Sequence, residues 1–240
     1  MSGVENIEPF TDGFVSALCP ELVLFAGLIL LIIIPNLGKG TVRIPGTQTR
    51  VMWFFGGDRF KLTSNPRLPA WIATITLGAA FVLTMLSFQD GVDRAAIVTD
   101  SGKQLMLVNG FSRVFELIFF GALTLAAFAS MNRLEVRGIG PKLSTNDLYN
   151  NRRQADFYIL MLTCALGMSV VALAQDLFVL FIGLELASFS TYVLVAFYKE
   201  TKAGTEAGMK YFIVGSVASG VGLYGLSMLY LWQDPCNLMS

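Results

Sequence analysis

Glu185 lies near the middle of an apolar run from Phe178 to Phe197, FVLFIGLELASFSTYVLVAF. A carboxylate at that depth in hydrocarbon costs roughly 2.5–3.5 kcal/mol on insertion scales. It is kept only with a partner, a water-filled cavity or a task, and a carboxyl held there can take up and release a proton. Nine residues separate it from Asp176. At about 1.5 Å per helical residue, this places it close to a bilayer's midplane. Ser188 and Tyr192 follow at i+3 and i+7, so they share its face and could hydrogen-bond it or hold water. The plainer alternative is a protonated carboxyl that only ties helices together.

Three further groups carry polar chemistry inside apolar sequence. Glu206 and Lys210 stand four apart in EAGMKYFIVGSVASGVGLYG, the favourable order for a helical ion pair. Protonating either member changes the charge seen by the other, which is the least hardware needed to pass protons. A lysine whose stem snorkels to the interface is the competing reading. After Lys210, the pairs Gly215/Ser219, Ser216/Gly220 and Ala218/Gly222 are each four apart. Such small faces let helices approach closely, so packing is their expected role. Arg113 and Glu116, three apart near a span's outer end, read as a self-neutralising interfacial pair.

Several chemistries are excluded. There is no histidine, which removes imidazole metal ligands and histidine-based triads. Cys19, Cys164 and Cys236 fit no metal or redox spacing and read as small apolar residues. No phosphate-binding glycine loop occurs. No cofactor and no metal is expected.

These residues must be positioned by membrane-spanning helices. The 240 residues are 54% hydrophobic and 14% charged, with a mean hydropathy of +0.62. A soluble domain averages about 45–50% and about 25%. The excess falls in blocks near the length of about 20 residues needed to cross a bilayer. The chain therefore reads as all-α and polytopic, with six spans at about 15–35, 69–88, 112–131, 157–175, 177–198 and 203–231. The acidic N-terminus has no basic residue and resembles neither a secretory signal nor a transit peptide. Net charge is zero, so no bulk field favours nucleic acid.

Basic residues fix the orientation. The first connection carries Lys39, Arg43, Arg50, Arg59, Lys61 and Arg67, and the third carries Arg133, Arg137, Lys142, Arg152 and Arg153. Lys199 and Lys202 mark the fifth, whereas the fourth and both tails have none. The positive-inside rule places connections one, three and five on the cytoplasmic or matrix side and both termini outside. The long basic connection 36–68 is also a candidate docking surface.

From Asp147 to Tyr230 the chain resembles the second subunit of respiratory NADH dehydrogenase, the N subunit of bacterial complex I. The resemblance rests on LFIGLELASFSTYVLVAF and on EAGMKYFIVGSVASGVGLYGLSMLY. This pattern is shared with the antiporter-like subunits of complex I and with multi-subunit sodium/proton antiporters. Residues 1–146 then correspond to three leading helices, and 147–240 to the first helices of the antiporter-like repeat.

The resemblance implies that Glu185 is the family's mid-membrane glutamate, coupled to a lysine on a seventh helix. Glu206 and Lys210 fall on the acidic and basic positions at the start of the sixth. A proline common after the glutamate motif is replaced around Ser190. The implied function is proton translocation within NADH:ubiquinone oxidoreductase, with no redox centre in this chain. The implied partners are other membrane-arm subunits and the lipid bilayer. Because six spans are fewer than the family's roughly fourteen, a naturally split subunit completed by a second chain is expected, with a cropped fragment as the alternative. The expected location is the mitochondrial inner membrane, with a bacterial plasma membrane as alternative. A structural subunit without transport, or a subunit of a cation/proton antiporter, are the competing functions.

Overall fold

The computed structural model describes residues 5–6, 17–43, 50–55, 68–89, 94–98, 104–131, 145–197 and 202–233. Arg59, Lys61, Arg67, Arg133, Arg137, Lys142, Lys199 and Cys236 lie outside them, as does most of the candidate docking surface.

Among the described residues there are six helices: α1 Cys19–Asn36, α2 Leu68–Gln89, α3 Gly110–Ser130, α4 Thr145–Leu173, α5 Leu177–Val195 and α6 Lys202–Gln233. The chain is an all-α polytopic membrane protein. By length and composition, α2 to α6 each contain a segment able to cross a membrane, and the described apolar part of α1, Cys19–Ile33, is shorter. The helices match the six expected segments to within a few residues, except that α4 starts twelve residues early, at Thr145. Its added turns, TNDLYNNRRQAD, are polar and extend the helix past the apolar stretch.

Local sequence sets the helix starts. Pro20 sits in the first turn of α1, where its missing N–H leaves no bond unmade. Asn109 caps α3, its Oδ1 accepting from the Ser112 N–H at 2.8 Å. Asp176 caps α5, its Oδ2 accepting from the Phe178 N–H at 3.1 Å. With Asp176 as the cap, α4 and α5 meet in the tight hairpin that the sequence implied.

Five short strands, absent from the sequence reading, lie before α1 and in the first two connections: β1 Glu5–Asn6, β2 Leu37–Arg43, β3 Arg50–Phe55, β4 Arg94–Val98 and β5 Gln104–Val108. β2 and β3 form an antiparallel hairpin in the first connection. β1, β4 and β5 form a second sheet. β5 reaches the α4–α5 turn, where the Gln175 N–H donates to the Leu105 carbonyl at 3.0 Å.

The main core is shared by α1 to α4. Leu24 and Leu31, Ala73 and Leu77, Phe120 and Ala127, and Tyr158 and Leu162 contribute one pair from each helix. Gly27 of α1 approaches Thr76 of α2 so closely that any added Cβ would collide with its side chain. On its other side α4 packs against α5. At Gly167 an added Cβ would stand 2.5 Å from the Ala187 backbone nitrogen and 2.9 Å from the Gly183 oxygen. This is the close backbone approach that small residues permit between membrane helices. Among the described residues α6 packs chiefly along α5 and leaves most of its surface uncovered.

Candidate functional site

α5 and α6 run antiparallel, and four contacts set their register. Tyr230 donates to Asp176 Oδ2 at 2.9 Å near the outer end. A Cβ on Gly222 would lie 3.6 Å from the Phe181 ring. Gly215 abuts the Tyr192 ring, and Gly208 abuts Ala196 at the inner end. Phe181, Glu185, Ser188, Tyr192 and Ala196 recur at helical spacing, so Glu185 stands on the face of α5 turned toward α6. The register brings Ser219 of α6 to the level of Glu185. Glu185 is half-buried there, and among the described residues it forms no hydrogen bond or ion pair. Ser188 and Tyr192 share its face but do not bond it. The Tyr192 ring instead meets Tyr211 edge-on, with centroids 4.8 Å apart.

Glu206 and Lys210 are paired, Lys210 Nζ standing 2.5 Å from Glu206 Oε1. Their side chains are 60% and 74% exposed. Each is two residues from Gly208, the α5-facing position, so both project from the opposite face of α6. The structure therefore forms the expected pair but does not bring it to Glu185. The small-residue run divides similarly. Gly215 and Gly222 pack on α5, whereas Gly220 and Gly225 have nothing within 4 Å. α5 continues unbroken past Ser190, whose Oγ donates to the Leu186 carbonyl at 2.8 Å.

The fourth candidate differs from its sequence reading. Arg113 and Glu116 are buried, at 3% and 0% exposure, and form more than an interfacial pair. Arg113 Nη1 donates to Glu116 Oε2 at 2.6 Å and lies 3.8 Å from Glu21 Oε1 of α1. Arg113 Nη2 donates to the Ala17 carbonyl. Ser169 of α4, fully buried, places its Oγ 2.9 Å from Glu21 Oε1 and 3.2 Å from Glu116 Oε1. Glu21 and Ser169 were not singled out in the sequence, because the contacts joining them to each other and to Arg113 and Glu116 span 53 to 148 residues. The available signal was charge at matched depth. Glu21 opens the first span and Arg113 the third, both at ends assigned to the outside.

Residues 174–239 match the family described as NADH:quinone oxidoreductase/Mrp antiporter, TM. NADH-quinone oxidoreductase subunit N of Acidithiobacillus ferrooxidans is 34% identical over 163 residues, covering 68% of this chain and 30% of the relative. The same subunit of Halorhodospira halophila is 36% identical over 168 residues, covering 70% and 31%. The chain belongs, as a partial member, to this N-subunit family. It spans about three-tenths of the length of these relatives. The F(420)H(2) dehydrogenase subunit N of Methanosarcina mazei is 30% identical over 179 residues, covering 71% of this chain and 32% of that one.

The fold also resembles a chain of the membrane-bound sulfane sulfur reductase, an archaeal respiratory membrane complex. The TM-score is 0.60 at 18% identity, over 90% of this chain and 37% of that one. Glu185, Glu206 and Lys210 all fall within the 174–239 match, whereas Glu21, Arg113, Glu116 and Ser169 lie outside it.

Proposed function

We propose that this chain is the N-terminal part of the proton-translocating, antiporter-like subunit of a respiratory NADH–quinone oxidoreductase. The carrying observation is Glu185, midway along α5 and within the antiporter-family segment, facing α6 with no hydrogen-bond or ion-pair partner among the described residues. A carboxyl so placed changes protonation when a charge nearby changes. In this reading it couples to a lysine supplied by the part of the subunit beyond these helices, whether on this polypeptide or on a second chain. Glu206 and Lys210 line the inner half of the path. The chain performs no redox chemistry itself, and its protons move in response to quinone reduction elsewhere in the complex.

Its partners are the other membrane-arm subunits and the surrounding lipid. The relatives named above come from bacteria and an archaeon, which supports a plasma membrane over the mitochondrial inner membrane as its location.

The test is Glu185→Gln in the intact complex, with proton pumping and NADH oxidation measured side by side. Pumping per NADH oxidised is expected to fall. Unchanged pumping would sink the assignment and leave a structural role. A second reading is supported by the shared description of the matched family, which includes Mrp antiporters: a cation/proton antiporter outside any respiratory complex. Co-purification with quinone-reducing activity separates the two.

A further inference from the structure

The outer ends of α1, α3 and α4 enclose two carboxyls, one guanidinium and one hydroxyl, and their hydrogens can be counted. Ser169 has a single O–H, so it can donate to only one of the two carboxyl oxygens at 2.9 and 3.2 Å. The other contact is a hydrogen bond only if a carboxylic O–H donates to Ser169. The charges give the same answer. Two carboxylates and one guanidinium sum to −1, and a net charge kept from water is strongly disfavoured. One bound proton brings the group to zero.

A third observation is independent of these. Glu21 Oε2 and Arg113 Nε are buried with no hydrogen-bond partner among the described residues. A bare oxygen is far more tolerable on a neutral carboxyl than on an anion. No other ionisable side chain among the described residues bonds to the four. Asp176, the other buried carboxyl at this end, is engaged by Tyr230 and by the start of α5. Thr84 of α2 turns its hydroxyl to the Ala80 carbonyl.

We propose that Glu21 and Glu116 together bind one exchangeable proton, held through Ser169 and neutralised against Arg113, as a protonation site in the leading helices separate from Glu185. Uptake transfers a proton from hydronium to one carboxylate and leaves water, and release is the reverse. An apolar cluster of Ala17, Leu18, Met106, Val108 and Leu173 lies beside the site at the outer end. It limits direct access by water.

The test is infrared difference spectroscopy on the protein, purified in mild detergent with the subunits that accompany it, at neutral pH. Wild type is expected to show a protonated-carboxyl band that disappears in Glu21→Gln and also in Glu116→Gln. Each single variant leaves one carboxylate and one guanidinium, already neutral without the proton. Persistence of the band in either variant overturns the proposal. Ser169→Ala, which keeps every charge, is expected to retain the band but shift it to higher frequency, because the hydrogen bond to the hydroxyl is lost. An unmoved band there also overturns it, even if the glutamine variants fail to fold.

Discussion

The two groups of charged residues in these helices are finished in opposite ways. Where the starts of α1 and α3 meet the end of α4, Arg113 and Glu116 are 3% and 0% exposed, and Glu21 and Ser169 complete their bonding from two other helices. Along α5 and α6, Glu185 has no partner among the described residues, and the Glu206–Lys210 pair faces away from α5. The chemistry of the side chains is nearly the same in both places. The difference lies in the number of helices around them. The first group is walled by the helices of the main core, whereas α6, among the described residues, packs chiefly on α5. Polar groups in a membrane are completed where helices surround them and stay open where the bundle is open. The open group is thus where further helices would supply partners.

The largest expected effect tests that contrast directly. Arg113→Met removes the only cation of the closed group and strands the buried Glu116 carboxyl and the partly buried Glu21. Breaking a buried pair in this way costs about 3–5 kcal/mol. Lys210→Met removes an exposed partner and is expected to leave stability unchanged, since exposed ion pairs contribute little. Denaturation midpoints of the two variants in the same detergent decide the matter. Equal midpoints would mean that the two groups are not energetically distinct.

The closed group also marks where the sequence stopped being legible. Helix positions followed from apolar block length, and the α4–α5 turn from Asp176, because those are local rules, whereas the starts at Pro20 and Asn109 came from the structure. The Arg113–Glu116 spacing was equally local and was read. Glu21 and Ser169 entered only through tertiary packing, across 148 residues between them, and no periodicity encodes that. The α5–α6 face bearing Glu185 was readable from the i, i+3, i+7 pattern. The projection of Glu206 and Lys210 away from it was not, because the phase of α6 is set by where Gly208 and Gly215 meet Ala196 and Tyr192. β4 and β5 escaped for a different reason. Four-residue apolar runs, AAIV in β4 and LMLV in β5, read as connection when the longer neighbouring blocks dominate.

A smaller effect separates two glycines. Gly167→Ala places a methyl 2.5 Å from the Ala187 nitrogen. Backbone cannot rotate aside, so α4 and α5 must move apart, at an expected cost of about 1–3 kcal/mol. Gly220→Ala on the open face of α6 meets nothing within 4 Å and is expected to stabilise the helix by roughly 0.5–1 kcal/mol. Opposite signs in the two denaturation curves sharpen the comparison. If Gly220→Ala instead destabilises the intact complex while stabilising the isolated chain, the open face of α6 is covered there by another helix.

The smallest expected effect concerns the polar tie that holds the outer end of α6 to its neighbour. Tyr230→Phe deletes the 2.9 Å bond to Asp176 Oδ2 while leaving the ring in place. Asp176 keeps the Phe178 N–H and so remains the cap of α5. The net loss should therefore be only about 0.5–1.5 kcal/mol. Because α6 packs chiefly on α5, that loss should appear locally, as faster amide hydrogen exchange in the last turns of α6, with α1 to α4 unchanged. Uniformly faster exchange through all six helices would show that α6 unfolds together with the core. The contrast between a closed and an open region would then fail at its root, since one cooperative unit cannot hold two independently finished halves.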